Sequence, residues 1–488
     1  MNKKRLYNII GIIIVGGWAV MLLLLVQKQY VSKAAVKLET QYMEEYIESR
    51  DEWAGIYFMG KKIGYAHSVL KRIEDGYQLT EDVFMDMTVM EVPQQVKTRI
   101  NAITGRDLKL SVFSFRLDSG VIGFSAYGEI ENNVLTVSVT SGGRRQRNKV
   151  TMNDQPLLTS SVKHYVMHRG LKPGSRYEGS FFDPLTMRNR KITIEVQGRD
   201  TVEIHGKRYQ GYKLKQTFQG ISMYVWIDEN GETLREESPM GMVILREQRD
   251  EAMSSHWTTR PDILTATAVK VDRSFSTQGL NGLRLKLKNV SLNGFDLHGG
   301  RQQLRDNIVE VRQEILSTQD TYQVPFSLPD MQRYLKPTVY MQSEQPQIQQ
   351  LVQFIVGAKK DAKTIVKLLN NWVYANIEKR PTMSIPSANE VLRTKQGDCN
   401  EHAVLMATMC RAAGVPARIC AGIVYLNNYF YYHAWVEVYL NKWVTVDPTM
   451  HQFPADVTHV KFIEGGPERQ LQVLKLVGKL EIDILEIL

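Results

Sequence analysis

Cysteine is scarce in this chain, with three in 488 residues, and that scarcity excludes a disulfide framework. Cys399 and Cys410 fall in one helical pattern about three turns apart, roughly 16 Å, too far to bond. A Cys410–Cys420 bond is conceivable, but two buried apolar thiols are the expectation. Internal repeats and low-complexity tracts are also missing, which excludes a solenoid array. Charge of one sign is not concentrated either, since the net +9 is dispersed. Its densest knot, Arg144-Arg145-Gln146-Arg147-Asn148-Lys149, lacks the aromatic interleaving of a nucleic-acid groove, so no nucleic-acid partner is expected. The knot follows Gly142-Gly143 and reads as a solvated turn, with contact to anionic lipid or cell-wall polymer left open.

What is present points to a folded chain of two or three domains. Ile9 to Val26 is an unbroken run of apolar residues and glycines behind Lys3-Lys4-Arg5. It is long enough to span a bilayer and too long for the apolar part of a signal peptide. Ser32-Lys33-Ala34 is a poor cleavage site, so an uncleaved transmembrane helix is expected over 1–27, with a helical stalk over 28–50. Lys28, Lys33 and Lys37 nearly balance the charges before the span. The tighter N-terminal cluster favours a single-pass membrane protein with its bulk periplasmic or otherwise extracytoplasmic.

From Trp53 the pattern becomes strand-like and stays so to about Glu247. Turn signals such as Glu131-Asn132-Asn133 and Asp228-Glu229-Asn230-Gly231 connect neighbouring runs. Thr159 to Arg169 reads as the one helix among them. A curved antiparallel β-rich domain over 51–250 is the economical reading, loosely like the half-barrels of envelope lipoprotein carriers in pattern alone. Residues 251–345 suggest a small β region or linker. Residues 346–488 open with helices after Pro346 and over Asp361 to Asn376. Ser387-Ala388-Asn389-Glu390 then reads as a capping box.

The chemistry concentrates in that last stretch. Gly397-Asp398-Cys399-Asn400-Glu401-His402-Ala403 reads as a loop opening into a helix, with Asp398 as cap and Ala403, Met406, Ala407 and Cys410 on its buried face. Gly414 and Pro416 end it. Cys399 in the first turn is placed for a thiolate by the helix dipole. Ile419 to Leu426 and Tyr431 to Leu440 read as a hairpin about Asn427-Asn428, followed by the strand Trp443 to Val446. A nucleophilic cysteine needs a base, and the imidazole needs an acceptor. Cys399, His433 and Asp447 supply these roles in order. A two-residue turn at Asn441-Lys442 would put Asp447 and His433 on opposite faces, so a loop of odd length or a bulge is expected.

These motifs resemble the transglutaminase-like superfamily, relatives of papain-type cysteine proteases. The pattern is G-x-C-x-E, then R-A-A-G-V-P-A-R at Arg411 to Arg418, then H-A-W-V-E-V from His433, then W-x-x-x-D-P-T from Trp443. The resemblance covers about Pro346 to the C-terminus. It implies an α+β transglutaminase-like catalytic domain over 346–488 and, with the anchor, a membrane-anchored bacterial envelope enzyme. Its implied activity is acyl transfer on amide or peptide bonds through a thioester, by hydrolysis or transamidation. Its implied substrate is a protein, a peptide or a cell-wall peptide. The alternative is a non-catalytic envelope interaction or carrier protein that uses the β-rich domain.

No cofactor or metal is expected. His451, Asp456 and His459 fit no familiar zinc spacing and read as surface residues near Pro454. His402 reads as structural, and Glu401 as a complement to the helix dipole. Trp435 and Trp443 read as core in preference to groove residues. Gln396 could orient an oxyanion, with the Cys399 backbone N–H the safer donor.

Overall fold

A computed structural model describes residues 36–37 and 47–488, apart from short internal stretches at 90, 120–122, 142–143, 153–154, 158–161, 169, 184–187, 219, 255–259 and 382–386. Fifteen strands form one sheet. Its edges are Val36–Lys37 and Arg144–Thr151, Arg50–Phe58 pairs with Met242–Arg246 in its middle, and it is antiparallel except where Val36–Lys37 lies parallel to Arg176–Asp183. Alternation drives the burial. Along Gly123–Glu131 the side chains of Phe124, Ala126 and Ile130 are buried and their neighbours mostly exposed. Tight turns set the register. Asn132 and Asn133 both take positive φ, 49° and 61°, between the paired residues Glu131 and Val134, the geometry a two-residue hairpin requires. Register shifts at Ile56/Tyr57, Ile103/Thr104 and Val196/Gly198 add local twist. The helix Val162–His168 packs on the sheet, and its fully buried Val166 shares a core with Leu110, Phe113, Leu135 and Ile194.

Two smaller sheets follow. In a four-stranded sheet, Gly282–Lys288 pairs with Ile308–Arg312 on one side and with the C-terminal strand Glu481–Ile487 on the other. Its apolar side shares a core with Ile423, Phe430, Val460 and Phe462 of a five-stranded sheet. That second sheet contains Ala417–Leu426, Tyr429–Tyr439, Trp443–Val446 and Val460–Glu464. Its other side packs Ala434, Val436, Val438 and Val446 against the helices Ala362–Asn376 and Cys399–Ala412. The site residues lie in this helix-on-sheet unit.

Ile9 to Val26 and most of the stalk lie outside the described residues. Among the described residues no helix is long and apolar enough to cross a membrane. The longest, Ala362–Asn376, has 15 residues, about 22 Å against a hydrocarbon core of about 30 Å. The transmembrane helix therefore drops out of the fold class. With it go the membrane as a partner, the single-pass extracytoplasmic location and the membrane-anchored envelope function. The curved antiparallel sheet and the C-terminal α+β region remain.

Candidate active site

The nucleophile candidate stands at the start of the helix Cys399–Ala412. Asp398 is its N-cap, and its carboxylate accepts the N–H of Asn400 at 2.7 Å. Glu401 reaches back to accept the N–H of Asp398 at 2.9 Å, which completes a capping box. Glu401 therefore does more than complement the dipole. Gly397 is needed for that return, because a Cβ there would lie 2.2 Å from the Cβ of Glu401. The box expected at Ser387 does not form. Ser387 caps Ala388–Thr394 by position only, and its hydroxyl bonds Gln342. The Cys399 helix is also buried on every side from Glu401 to Arg411, not on one face, since helices and sheet enclose it.

The base candidate comes from Tyr429–Tyr439. This strand pairs with Val269–Lys270 at one end and with Trp443–Val446 at the other, along the same edge. Between those pairings Cys399 meets the strand, its sulfur lying beside the His433 ring and the backbone N–H of Ala434. Gly422 lies opposite His433, and a Cβ there would collide with the carbonyl of Val460 and with the Trp435 ring.

Register brings in the third residue. Tyr439 pairs with Trp443 and Val436 with Val446, leaving Leu440-Asn441-Lys442 as a three-residue loop. Asn441 takes a φ of 63° and the N–H of Leu440 bonds the carbonyl of Lys442. Asp447 is thereby on the face of His433, whose Nε2 donates to its Oδ2 at 2.7 Å. That leaves Nδ1 of His433 for the thiol. Asp447 is fully buried, and its other oxygen accepts the N–H groups of Thr449 and Met450 at 2.7 and 3.0 Å. The His433 ring thus bonds Asp447 on one side and has the Cys399 sulfur beside it on the other.

The electrostatics differ from the dipole expectation. Burial pushes the Cys399 thiol above its ordinary value and Asp398 adds to this, while His433 and the Ala434 N–H oppose it. Burial and Glu401 in turn hold Asp398 well above the usual carboxylate range, which weakens its opposition to a thiolate. Burial works against a charged His433, yet Asp447 and Cys399 raise it to about 9. Asp447 is held well below the ordinary range by His433 and His459, against the effect of its burial.

His459 is fully buried, not a surface residue. Its Nε2 donates to the same Oδ2 of Asp447 at 2.9 Å, and its Nδ1 lies 3.1 Å from Asp456. His433, Asp447 and His459 group closely enough to suggest a metal site. Separations of 2.7 and 2.9 Å between their donor and acceptor atoms are hydrogen bonds, so the group reads as a clamp. In the sequence the signal is His451, Asp456 and His459 following closely on Asp447.

The remaining candidates take supporting places. His451 is exposed and stacks on Tyr374. His402 is buried between the carbonyls of Asp398 and Ile377 at 2.7 and 3.3 Å, a structural role. Trp435 is core, with its ring edge-on to His459 at 5.3 Å. Trp443 lies under Arg418 at 4.0 Å. The Gln396 carbonyl oxygen is held by Arg380 at 3.1 Å. Cys410 and Cys420 are free and buried.

Residues 349–448 match the transglutaminase-like superfamily. A protein-glutamine gamma-glutamyltransferase of Pseudomonas aeruginosa is 32% identical over 120 residues, covering 22% of this chain. The chain spans only 17% of that relative's length. Among solved structures, a candidate cysteine protease of Cytophaga hutchinsonii aligns with 43% of this chain and 86% of its own, at 18% identity and a TM-score of 0.29. A β-barrel-like protein of Brucella abortus aligns with 42% of this chain and 98% of its own, at 12% identity and a TM-score of 0.33. Superpositions this loose carry no argument. Neither geometry nor likeness identifies a protein, peptide or cell-wall peptide as a partner, and that expectation is set aside. Over residues 349–448 the chain is distantly similar to the transglutaminase-like superfamily, without the membrane-anchored qualification.

Proposed function

We propose that the chain is a cysteine hydrolase or acyltransferase acting on an amide carbonyl, with Cys399 as nucleophile. His433 takes the thiol proton as the sulfur attacks the carbonyl carbon and the C–S bond forms. The same imidazole returns that proton to the departing nitrogen as the C–N bond breaks. Water or an amine then attacks the thioester, losing its proton to His433, and the C–S bond breaks to restore the thiol. Asp447 fixes the imidazole with Nε2–H toward itself and supports the imidazolium. Ala434 N–H steadies the sulfur. The name of the Pseudomonas relative describes transfer from a carboxamide, which suits the same attack.

The observation that carries this reading is the 2.7 Å bond from His433 to a buried Asp447, with the Cys399 sulfur beside the same ring. The test is labelling by chloroacetamide followed by peptide mapping. Wild-type protein should be modified at Cys399 faster than at either other cysteine, and His433→Ala should slow that modification at least tenfold. Equal labelling of wild type and His433→Ala would overturn the proposal.

A further inference from the structure

Asp447 is shared by two imidazoles. His433 and His459 direct their Nε2 atoms at the same oxygen, at 2.7 and 2.9 Å, and their ring centres are 5.8 Å apart. Both nitrogens of His459 face carboxylates, Asp447 on one side and Asp456 on the other. An imidazole bonded to an ionised acid at each nitrogen needs a hydrogen on both, and so carries a positive charge. Asp456 is built to stay ionised. It accepts the N–H and hydroxyl of Thr458 at 2.9 and 2.6 Å and the amide of Gln452 at 2.8 Å.

We propose that His459 is a charged positioning residue, whose imidazolium sets the basicity of His433 and the acidity of Cys399 through the oxygen of Asp447. The inference rests on the catalytic reading of Cys399, His433 and Asp447. Without His459, Asp447 would act on His433 as a full, unshared anion. With it, part of that negative charge is neutralised, so His433 releases its proton more readily and the thiolate is less opposed. Trp435 stands against both rings and holds their spacing.

The other charged groups around the pair are already matched. Arg301 bonds the carbonyls of Ala455 and His459 and lies 3.7 Å from Glu314. Lys461 and Arg418 both pair with Glu437. On the helix side stand Cys399 and Asp398. His459 is therefore the positive charge in direct contact with Asp447 besides His433. The same two bonds that give it a charge also fix the Asp447 oxygen in place.

The test is the pH dependence of Cys399 alkylation in wild type and in His459→Gln, which keeps an N–H donor but removes the charge. Removing a positive charge at this range should move the whole profile toward alkaline pH by about one unit. A slower rate or lower stability with the profile unmoved would mean a merely structural role and would overturn the inference. If wild-type Cys399 proves no more reactive than Cys410, the catalytic reading fails, and this inference with it. Should His459→Gln fail to fold, histidine-selective nitrogen NMR of the wild-type protein gives the second reading. His459 should keep both ring protons at pH 8, where a free imidazole has lost one, and a single proton there would overturn the inference.

Discussion

Tyr439 stands opposite Trp443 across the turn that joins the histidine strand to the aspartate strand. That one pairing fixes the parity of everything beyond it, since side chains alternate along both strands. It places Trp435 opposite Asp447 and lets His433, one diagonal step away, reach the carboxylate.

Deleting Asn441 would leave a two-residue connection and shift the register by one. Asp447 would then turn to the face opposite His433. The expected outcome is a fall in Cys399 alkylation rate of roughly 100-fold or more, as expected for a misplaced catalytic group. Far-ultraviolet circular dichroism should stay near wild type. A deletion variant that is folded and reacts at the wild-type rate would remove Asp447 from the mechanism.

The three thiols should titrate in a set order. Burial pushes Cys410 up to about 12 and Cys420 well above its ordinary value. Cys399 is raised too, but His433 and the Ala434 N–H act against the rise. Alkylation followed by mass spectrometry should modify Cys399 first at every pH, with a rate that climbs as the solution becomes alkaline. Modification of Cys410 at a comparable rate in folded protein would contradict this order.

Much of this site was legible in the sequence, for identifiable reasons. Asn427-Asn428, with φ of 50° and 69°, closes a two-residue hairpin between Leu426 and Tyr429, and paired asparagines signal that geometry locally. Strand alternation required an odd loop at residues 440–442. The burial of His459 was not legible, because Asp447 meets it only when Val460–Glu464 joins the sheet, although Asp456 lies three residues away. The capping box was read at Ser387 because the local pattern fits, but Gln342, distant in sequence, takes the hydroxyl. A helix-terminal position favours a thiolate at Cys399 locally, whereas the burial that raises the thiol is a property of the whole fold.

Stability should depend on pH through His433. Its folded value of about 9 lies above the ordinary 6.5. Its contribution is thus complete below about pH 6.5 and is lost as pH rises through 9. The contribution is at most about 3 kcal/mol. Urea titrations between pH 6 and 9.5 should show wild type losing stability across that window, and His433→Gln losing less. Parallel curves for the two proteins would show that His433 gains no proton affinity on folding. Asp447 acts in the opposite sense, because its value is depressed. Its contribution is present above the ordinary carboxylate range and disappears only as the solution becomes strongly acidic.

The last expectation concerns the glycine before the cap. Gly397 is required by closeness and not by a left-handed backbone, since Glu401 doubles back to bond the N–H of Asp398 at 2.9 Å. An added methyl group would lie 2.2 Å from the Cβ and 2.6 Å from the Cγ of Glu401. The nearer atom is attached to the helix backbone, so no rotation of the Glu401 side chain relieves the clash. Either the first turn moves or the box opens, and Cys399 lies in that turn. Glu401→Ala removes the reciprocal bond without adding bulk and should cost at least about 1 kcal/mol. Gly397→Ala should cost more, about 1–3 kcal/mol, because overpacking adds to the lost bond. It should also slow Cys399 alkylation further than Glu401→Ala does. Denaturant unfolding and alkylation rates of the two variants check this together. A Gly397→Ala protein as stable and as reactive as wild type would mean that the first turn yields freely, and that the cap does not position the sulfur.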